Sequence, residues 1–221
     1  MTEPYYQDDH VTLHHGDCLE LAELWTCADT LVTDPPYGMA YESNRNRDKR
    51  NVKLGVPLRA DESTEVRDQA LDAWGDRPAL VFGKWTQPRP RDVRARLIWD
   101  KMVHGTGDLS IPWGPTDEEI YVIGSGWVGK RGSNIIRQQM LMSGDRDRPA
   151  HPTPKPVALM EALIAKCPPG TIADPFSGSG ATLVAAKALG RKAIGVELEE
   201  RYCEIAANRL AQNSFDFGGG E

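Results

Sequence analysis

Residues 171–212 alternate short apolar runs with helical patterns, and no other stretch restricts the fold so tightly. Residues 171–173 read as a strand, 180–189 as a helix with Gly190 just past its end, 193–196 as a strand and 199–212 as a closing helix. Strands separated by helices of this length run parallel through right-handed crossovers, which predicts an α/β fold built on an open, doubly wound, mostly parallel sheet. Upstream, Pro156 can open a helix with Val157, Met160, Leu163, Ile164 and Cys167 on its apolar face, and Pro168, Pro169 and Gly170 stop it. The amino-terminal residues add a strand at 11–14, a helix from 17 to about 25 and a strand at 30–33. Residues 64–74 suggest one more helix, and 79–82, 97–99 and 120–123 suggest short buried strands. Ligands of such sheets sit beyond the carboxyl ends of the strands.

At 221 residues the expectation is one domain over 1–212. In it, 1–41 and 151–212 flank a loop-rich middle at 42–150, and 213–221 form a disordered tail. Cys18, Cys27, Cys167 and Cys203 are scattered, so neither a disulfide framework nor a metal site is expected. No apolar run approaches the roughly 20 residues that span a bilayer, and the expected location is the cytoplasm.

The net charge of -6 is unevenly spread: residues 40–150 hold 19 Lys and Arg against 16 Asp and Glu, and the remainder carries the acidic excess. A polyanion would dock on the middle, where Arg45, Arg47, Lys49, Arg50 and Lys53, then Lys84, Arg89, Arg91, Arg94 and Arg96, then Lys130, Arg131 and Arg137 cluster. On composition alone, solvated faces are the simpler account of such runs.

Asp174-Pro175-Phe176-Ser177-Gly178-Ser179-Gly180 lies between a predicted strand and helix, where glycine permits a tight turn and close ligand approach. Glu197 ends the next strand, 23 residues beyond Asp174, where a carboxylate can accept hydrogen bonds from both ribose hydroxyls. The loop lacks the Gly-Lys-Ser/Thr ending of a phosphate-binding loop, and Asp174 would repel a pyrophosphate. An acid there suits a ligand with an ammonium group, such as the methionine end of S-adenosylmethionine.

Asp34-Pro35-Pro36-Tyr37 follows the strand at 30–33 and should project at the same edge as the glycine loop. Its prolines fix their own φ and push the preceding residues toward extended geometry, leaving the Pro35 carbonyl free. An exocyclic base amine is a poor nucleophile because its lone pair is delocalised into the ring. The Asp34 carboxylate and Pro35 carbonyl can accept its two hydrogens and favour a pyramidal nitrogen, while Tyr37 can stack on a base extruded from the duplex.

With these motifs in this order, the sequence resembles the beta group of amino-group DNA methyltransferases, in which the catalytic motif precedes the recognition region and the cofactor motif comes last. The resemblance covers about 11–41 and 151–210. It implies a Rossmann-like, circularly permuted S-adenosylmethionine-dependent methyltransferase fold, with Asp34, Pro35, Pro36 and Tyr37 catalytic. His15-Gly16-Asp17 matches the segment that places Asp17 near the cofactor adenosine, and His151-Pro152-Thr153-Pro154-Lys155-Pro156 matches the element whose Thr153 and Lys155 lie near the methionine end. Asp174, Pro175, Phe176, Ser177, Gly178, Gly180 and Glu197 complete the expected cofactor site. Arg45, Arg47, Lys49, Arg50, Lys53, Lys84, Lys130 and Arg131 are the expected contacts to double-stranded DNA, with a homodimer left open. A motif beginning with Asp is more often associated with adenine in this family, and one beginning with Ser with cytosine, so adenine is the expected base. Transfer to cytosine N4, to RNA or to a protein side-chain amide are the rival activities, and a non-catalytic DNA-binding protein on this scaffold is the rival of another class.

Overall fold

A computed structural model describes residues 3–36, 64–105, 107–142, 144–145, 148–151 and 153–212. Their strands form one nine-stranded sheet. Its parallel centre comprises β2 (Val11–His15), β9 (Ala193–Glu197), β8 (Ile172–Asp174), β3 (Thr30–Thr33) and β4 (Ala79–Gly83), side by side in that order. Outside β2 lies the short antiparallel β1 (Tyr6–Gln7). Outside β4 come β6 (Asp117–Ile123), antiparallel to both neighbours, then β5 (Val93–Asp100), then β7 (Ile135–Arg137), parallel to β5.

The central strands are buried on both faces, so they read as unbroken apolar runs. On one face Leu31, Ala79 and Val81 pack with Trp25 of α1 (Ala22–Trp25) and with Ala70 and Trp74 of α2 (Glu65–Trp74). The rings of Trp25 and Trp74 stack 6.1 Å apart. On the other face Val32, Leu80 and Phe82 meet α3 (Val157–Ile164), α4 (Ala181–Ala188) and α5 (Glu200–Gln212) through Leu159, Leu163, Leu183 and Cys203. Each large apolar side chain so buried contributes about 1.5–3 kcal/mol. Helix α4 ends as its sequence predicts. Gly190 takes φ +66°, its N–H donates to Lys187 O at 2.9 Å, and the Arg191 N–H donates to Ala186 O at 2.8 Å, the Schellman closure.

From β8 the chain crosses through α4 to β9 on one side, and from β3 it crosses through α2 to β4 on the other. Strands β8 and β3 are parallel neighbours, with Thr30 opposite Ile172 and Leu31 opposite Ala173. Strand order therefore reverses between them, and a crevice opens beyond their carboxyl ends, the place where doubly wound sheets bind ligands.

Four expectations shift. The helix foreseen from residue 17 begins only at Ala22, because Asp17 Oδ1 accepts the Leu19 N–H at 2.8 Å and draws that backbone into a turn. Pro156, with ψ 133°, is the N-cap of α3 rather than its first helical residue. Strand β5 extends well before Leu97, where the exposed Arg94 and Arg96 interrupt the apolar signal. Strands β1 and β7 were not foreseen from the sequence; they are short and lie at the sheet margins. No described helix is long and apolar enough to cross a membrane.

Candidate active site

The crevice is built from strand ends. Asp34, Pro35 and Pro36 follow β3 directly, and Pro175 and Phe176 follow β8; Pro35, Pro175 and Phe176 line one small depression with Thr33 and Val81. The two ends are tied across the sheet, because Thr33 Oγ1 donates to Asp174 Oδ1 at 2.7 Å. Asp174 also accepts the Phe176 N–H at 3.2 Å, and Ser177 Oγ donates to the Asp174 carbonyl at 2.8 Å, so the loop folds around its own acid. Burial raises the Asp174 carboxyl to about 6 against the hydrogen bonds from Thr182, Thr33 and the Phe176 N–H, and the nearby charge of Asp34 raises it further.

The glycines of this loop serve different neighbours. Gly178 adopts φ +50° and donates its N–H to Glu197 Oε2 at 2.7 Å. A Cβ there would sit 3.2 Å from His151 Nε2. Gly180, at φ +79°, rests on α5, where a Cβ would fall 2.8 Å from that of Ala206. Glu197 Oε1 takes the Glu199 N–H at 2.8 Å, and burial still leaves the carboxyl raised above its ordinary value. Both oxygens accept backbone N–H groups here, and a carboxylate's several lone pairs leave capacity for a hydroxyl. The Glu197 carbonyl accepts the Gly16 N–H at 2.9 Å, which brings the His15–Asp17 turn to the same edge. A glycine cradle beside a carboxylate, with no lysine in the loop, fits a nucleoside carrying a cationic tail.

His151 sits beneath Gly178, 4.5 Å edge-on from the Tyr202 ring, with Nδ1 accepting the Thr153 N–H at 3.3 Å. Burial, then the charges of Lys155 and three arginines, lowers it to about 4, so it packs the loop as a neutral ring.

Lys155 is the buried cation of the crevice. Its ammonium binds Asp34 Oδ2 and stands 3.3 Å from Glu118 Oε2, 4.9 Å from the centre of the Phe82 ring. Burial pulls its pKa down, but Asp34 and Glu118 outweigh that and hold it near 12. Glu118, at the start of β6, also pairs through Oε1 with Lys101 at 2.7 Å; burial raises its carboxyl, and the two lysines bring it below its ordinary value. The sequence did not single out Glu118. The only local hint is the acidic run 117–119 entering an apolar strand, which period-2 alternation splits between the two sheet faces: Glu118 toward Lys155, Glu119 toward Tyr121 and Arg96.

The other expected residues are placed unevenly. Thr153 is exposed, and Asp17 lies half-buried at the edge. Lys84 follows the carboxyl end of β4, on the same edge as the crevice. Lys130 and Arg131 belong to the connection that leaves β6 at the opposite edge, where the Lys130 carbonyl accepts Lys166 Nζ at 2.7 Å; the structure does not bring them to Asp34. Much of the basic middle is engaged internally: Arg96 and Arg89 lie 2.7 and 3.6 Å from Glu119, and Arg91 pairs with Asp72. Tyr37, Arg45, Arg47, Lys49, Arg50, Lys53 and the tail at 213–221 lie outside the described residues.

Against known proteins, residues 60–208 match the family model N6_N4_Mtase, described as DNA methylase. The Type II methyltransferase M2.LlaDCHI of Lactococcus lactis subsp. cremoris is 38% identical over 95% of this chain and 93% of its own length. The Type II methyltransferase M.ScaI of Streptomyces caespitosus is 28% identical over 94% and 84%. Among solved structures, the cytosine-N4-specific PvuII DNA methyltransferase superposes with a TM-score of 0.64 at 18% identity, covering 95% of this chain and 89% of that one. The M1.HpyAVI complex with SAM superposes at 0.60 and 24% identity, covering 90% and 100%.

Proposed function

Because the chain belongs to the N6/N4 DNA methylase family, we propose that it transfers a methyl group from S-adenosylmethionine to the exocyclic amino group of adenine in double-stranded DNA, within one domain spanning residues 1–212. One observation carries the reading: the Asp34 strand end and the Asp174 loop meet at the point where strand order reverses, linked by the 2.7 Å Thr33–Asp174 hydrogen bond. An acceptor for the amine and a cradle for the donor thereby share one crevice.

When bound, S-adenosylmethionine supplies an electrophilic sulfonium methyl. In this reading Glu197 and Asp17 hold its nucleoside, and the loop from Asp174 to Gly180 with Thr153 and Lys155 holds its amino-acid end. Asp174, folded inward onto Thr33 and the Phe176 N–H, acts chiefly by fixing the loop against β3. The Asp34 carboxylate and Pro35 carbonyl accept the two amino hydrogens, which frees the nitrogen lone pair toward the methyl. Pro35 is buried and Asp34 half-buried, so the acceptor is stiff and partly shielded from water. Reaching it requires the base to leave the duplex, with Tyr37 as its stacking partner.

Adenine rests on the Asp that opens the motif; the cytosine-N4-specific structural neighbour makes N4-methylcytosine the alternative to test. Duplex DNA incubated with the protein and isotopically labelled cofactor, then digested to nucleosides and analysed by mass spectrometry, should yield N6-methyladenine. Label in N4-methylcytosine would transfer the proposal to the other base, and label in RNA or protein alone would reject DNA.

A further inference from the structure

Asp34 faces two demands at once. Its Oδ2 is bound to the Lys155 ammonium, yet the reaction proposed above asks that carboxylate to accept a hydrogen of the target amine. Lys155 is only 7% exposed, so its ammonium must stay paired when Asp34 turns to the amine. A second carboxylate at the ammonium can keep it paired.

Glu118 is placed to do so. It lies across the end of β4 from Asp34, on the α3 face of the sheet, with Oε2 3.3 Å from Lys155 Nζ. That oxygen is buried and already shares the ammonium with Asp34. The other oxygen is anchored by Lys101 at 2.7 Å, and the Lys101 ammonium lies 5.4 Å from the centre of the Trp99 ring. Asp34, Lys155, Glu118 and Lys101 thus form a row of alternating charges with no net charge. Shifting Lys155 toward Glu118 keeps every ion paired, and Phe82 beneath it can remain in contact throughout.

We propose that Glu118 is a positioning residue for methyl transfer: it takes up the Lys155 ammonium and so releases Asp34 to the amine. The inference rests on the amino-methyltransferase reading. It predicts that Glu118→Gln leaves Lys155 locked on Asp34, slowing single-turnover methyl transfer up to about 100-fold, the order for a misplaced reacting group. Cofactor Kd, measured by calorimetry, should stay within about threefold, since the crevice is otherwise intact. Glu118→Asp retains the charge but withdraws it from Lys155, and should recover part of the rate. Should Glu118→Gln fail to fold by circular dichroism, Glu118→Asp carries the test, with an intermediate rate expected. Lys155→Met removes the ammonium itself, and adding Glu118→Gln to it should cost nothing more, because Glu118 acts through that lysine.

A wild-type rate in Glu118→Gln, or in Glu118→Asp where only that variant folds, overturns the inference. So does a full additional loss in the double variant, or a weakened cofactor Kd with an unchanged rate. Each of these leaves the parent reading intact. A wild-type protein that binds cofactor but methylates no DNA overturns both.

Discussion

The two halves of the sheet are stabilised differently. On the β2–β9–β8–β3 side, helices α3, α4 and α5 cover strands that are almost wholly buried, and polar side chains point inward onto backbone groups, as with Ser177 on Asp174 O and Glu197 on the Gly178 N–H. On the β6–β5–β7 side, the exposed Arg89 and Arg96 pair with the buried Glu119, and Trp85 and Trp113 stand 74% and 75% exposed on loops at the crevice edge of the sheet. The contrast is one of packing. One half packs tightly around its own backbone groups, whereas the middle pairs its charges along the strands and carries exposed rings on its loops.

The most damaging way to probe the tightly packed half is Asp34→Ala, which should lower methyl transfer about 10³-fold or more while cofactor affinity changes little. Next comes Asp174→Asn. Because burial holds the folded carboxyl at about 6, above the unfolded value near 3.9, the folded state binds the extra proton between those values. Stability from this group is therefore fully present below about pH 4 and declines as pH rises toward 6, by roughly 2–3 kcal/mol. Urea titrations across that window should show the slope in the wild type and a flatter profile in the variant. Gly195→Ala should destabilise by about 1–3 kcal/mol, since a Cβ would meet Leu183 Cδ1 at 2.7 Å and crowd Ser177 Oγ.

The middle should respond in the opposite sense. Trp85→Ala and Trp113→Ala should leave stability within about 0.5 kcal/mol yet raise the KM for DNA about tenfold or more if the rings stack on bases. Comparable loss of stability in these variants would erase the distinction between the two regions. The smallest effect is expected at Arg91, whose pair with Asp72 is largely exposed; Arg91→Ala should change neither stability nor KM measurably.

What the sequence disclosed follows the same division. In the cofactor half most elements carry a local mark, such as Gly190 for the end of α4, the glycine loop after β8 and apolar runs for the buried strands, and the two-residue β1 is the exception. The loop and Glu197 could be placed on strand ends before any coordinates. In the middle, only 97–99 of β5 reads as an apolar run because its arginines before Leu97 are exposed, and β7 offers only three residues. The charge clusters there look alike in sequence, yet Arg96 is tied to Glu119, Lys130 lies at the far edge and Lys84 follows β4 toward the crevice. Glu118 was invisible for a related reason. Its significance comes from Lys155 and Asp34, which are distant in sequence and meet it only once the sheet forms.

A single-turnover reaction of wild-type and Asp34→Ala protein with unmethylated duplex DNA, read by nucleoside mass spectrometry beside calorimetric cofactor binding, probes the central claim most directly. The account predicts N6-methyladenine from the wild type, and from the variant undiminished cofactor binding with no methylated base. Undiminished transfer by Asp34→Ala, or wild-type methylation confined to ring carbon, would contradict it.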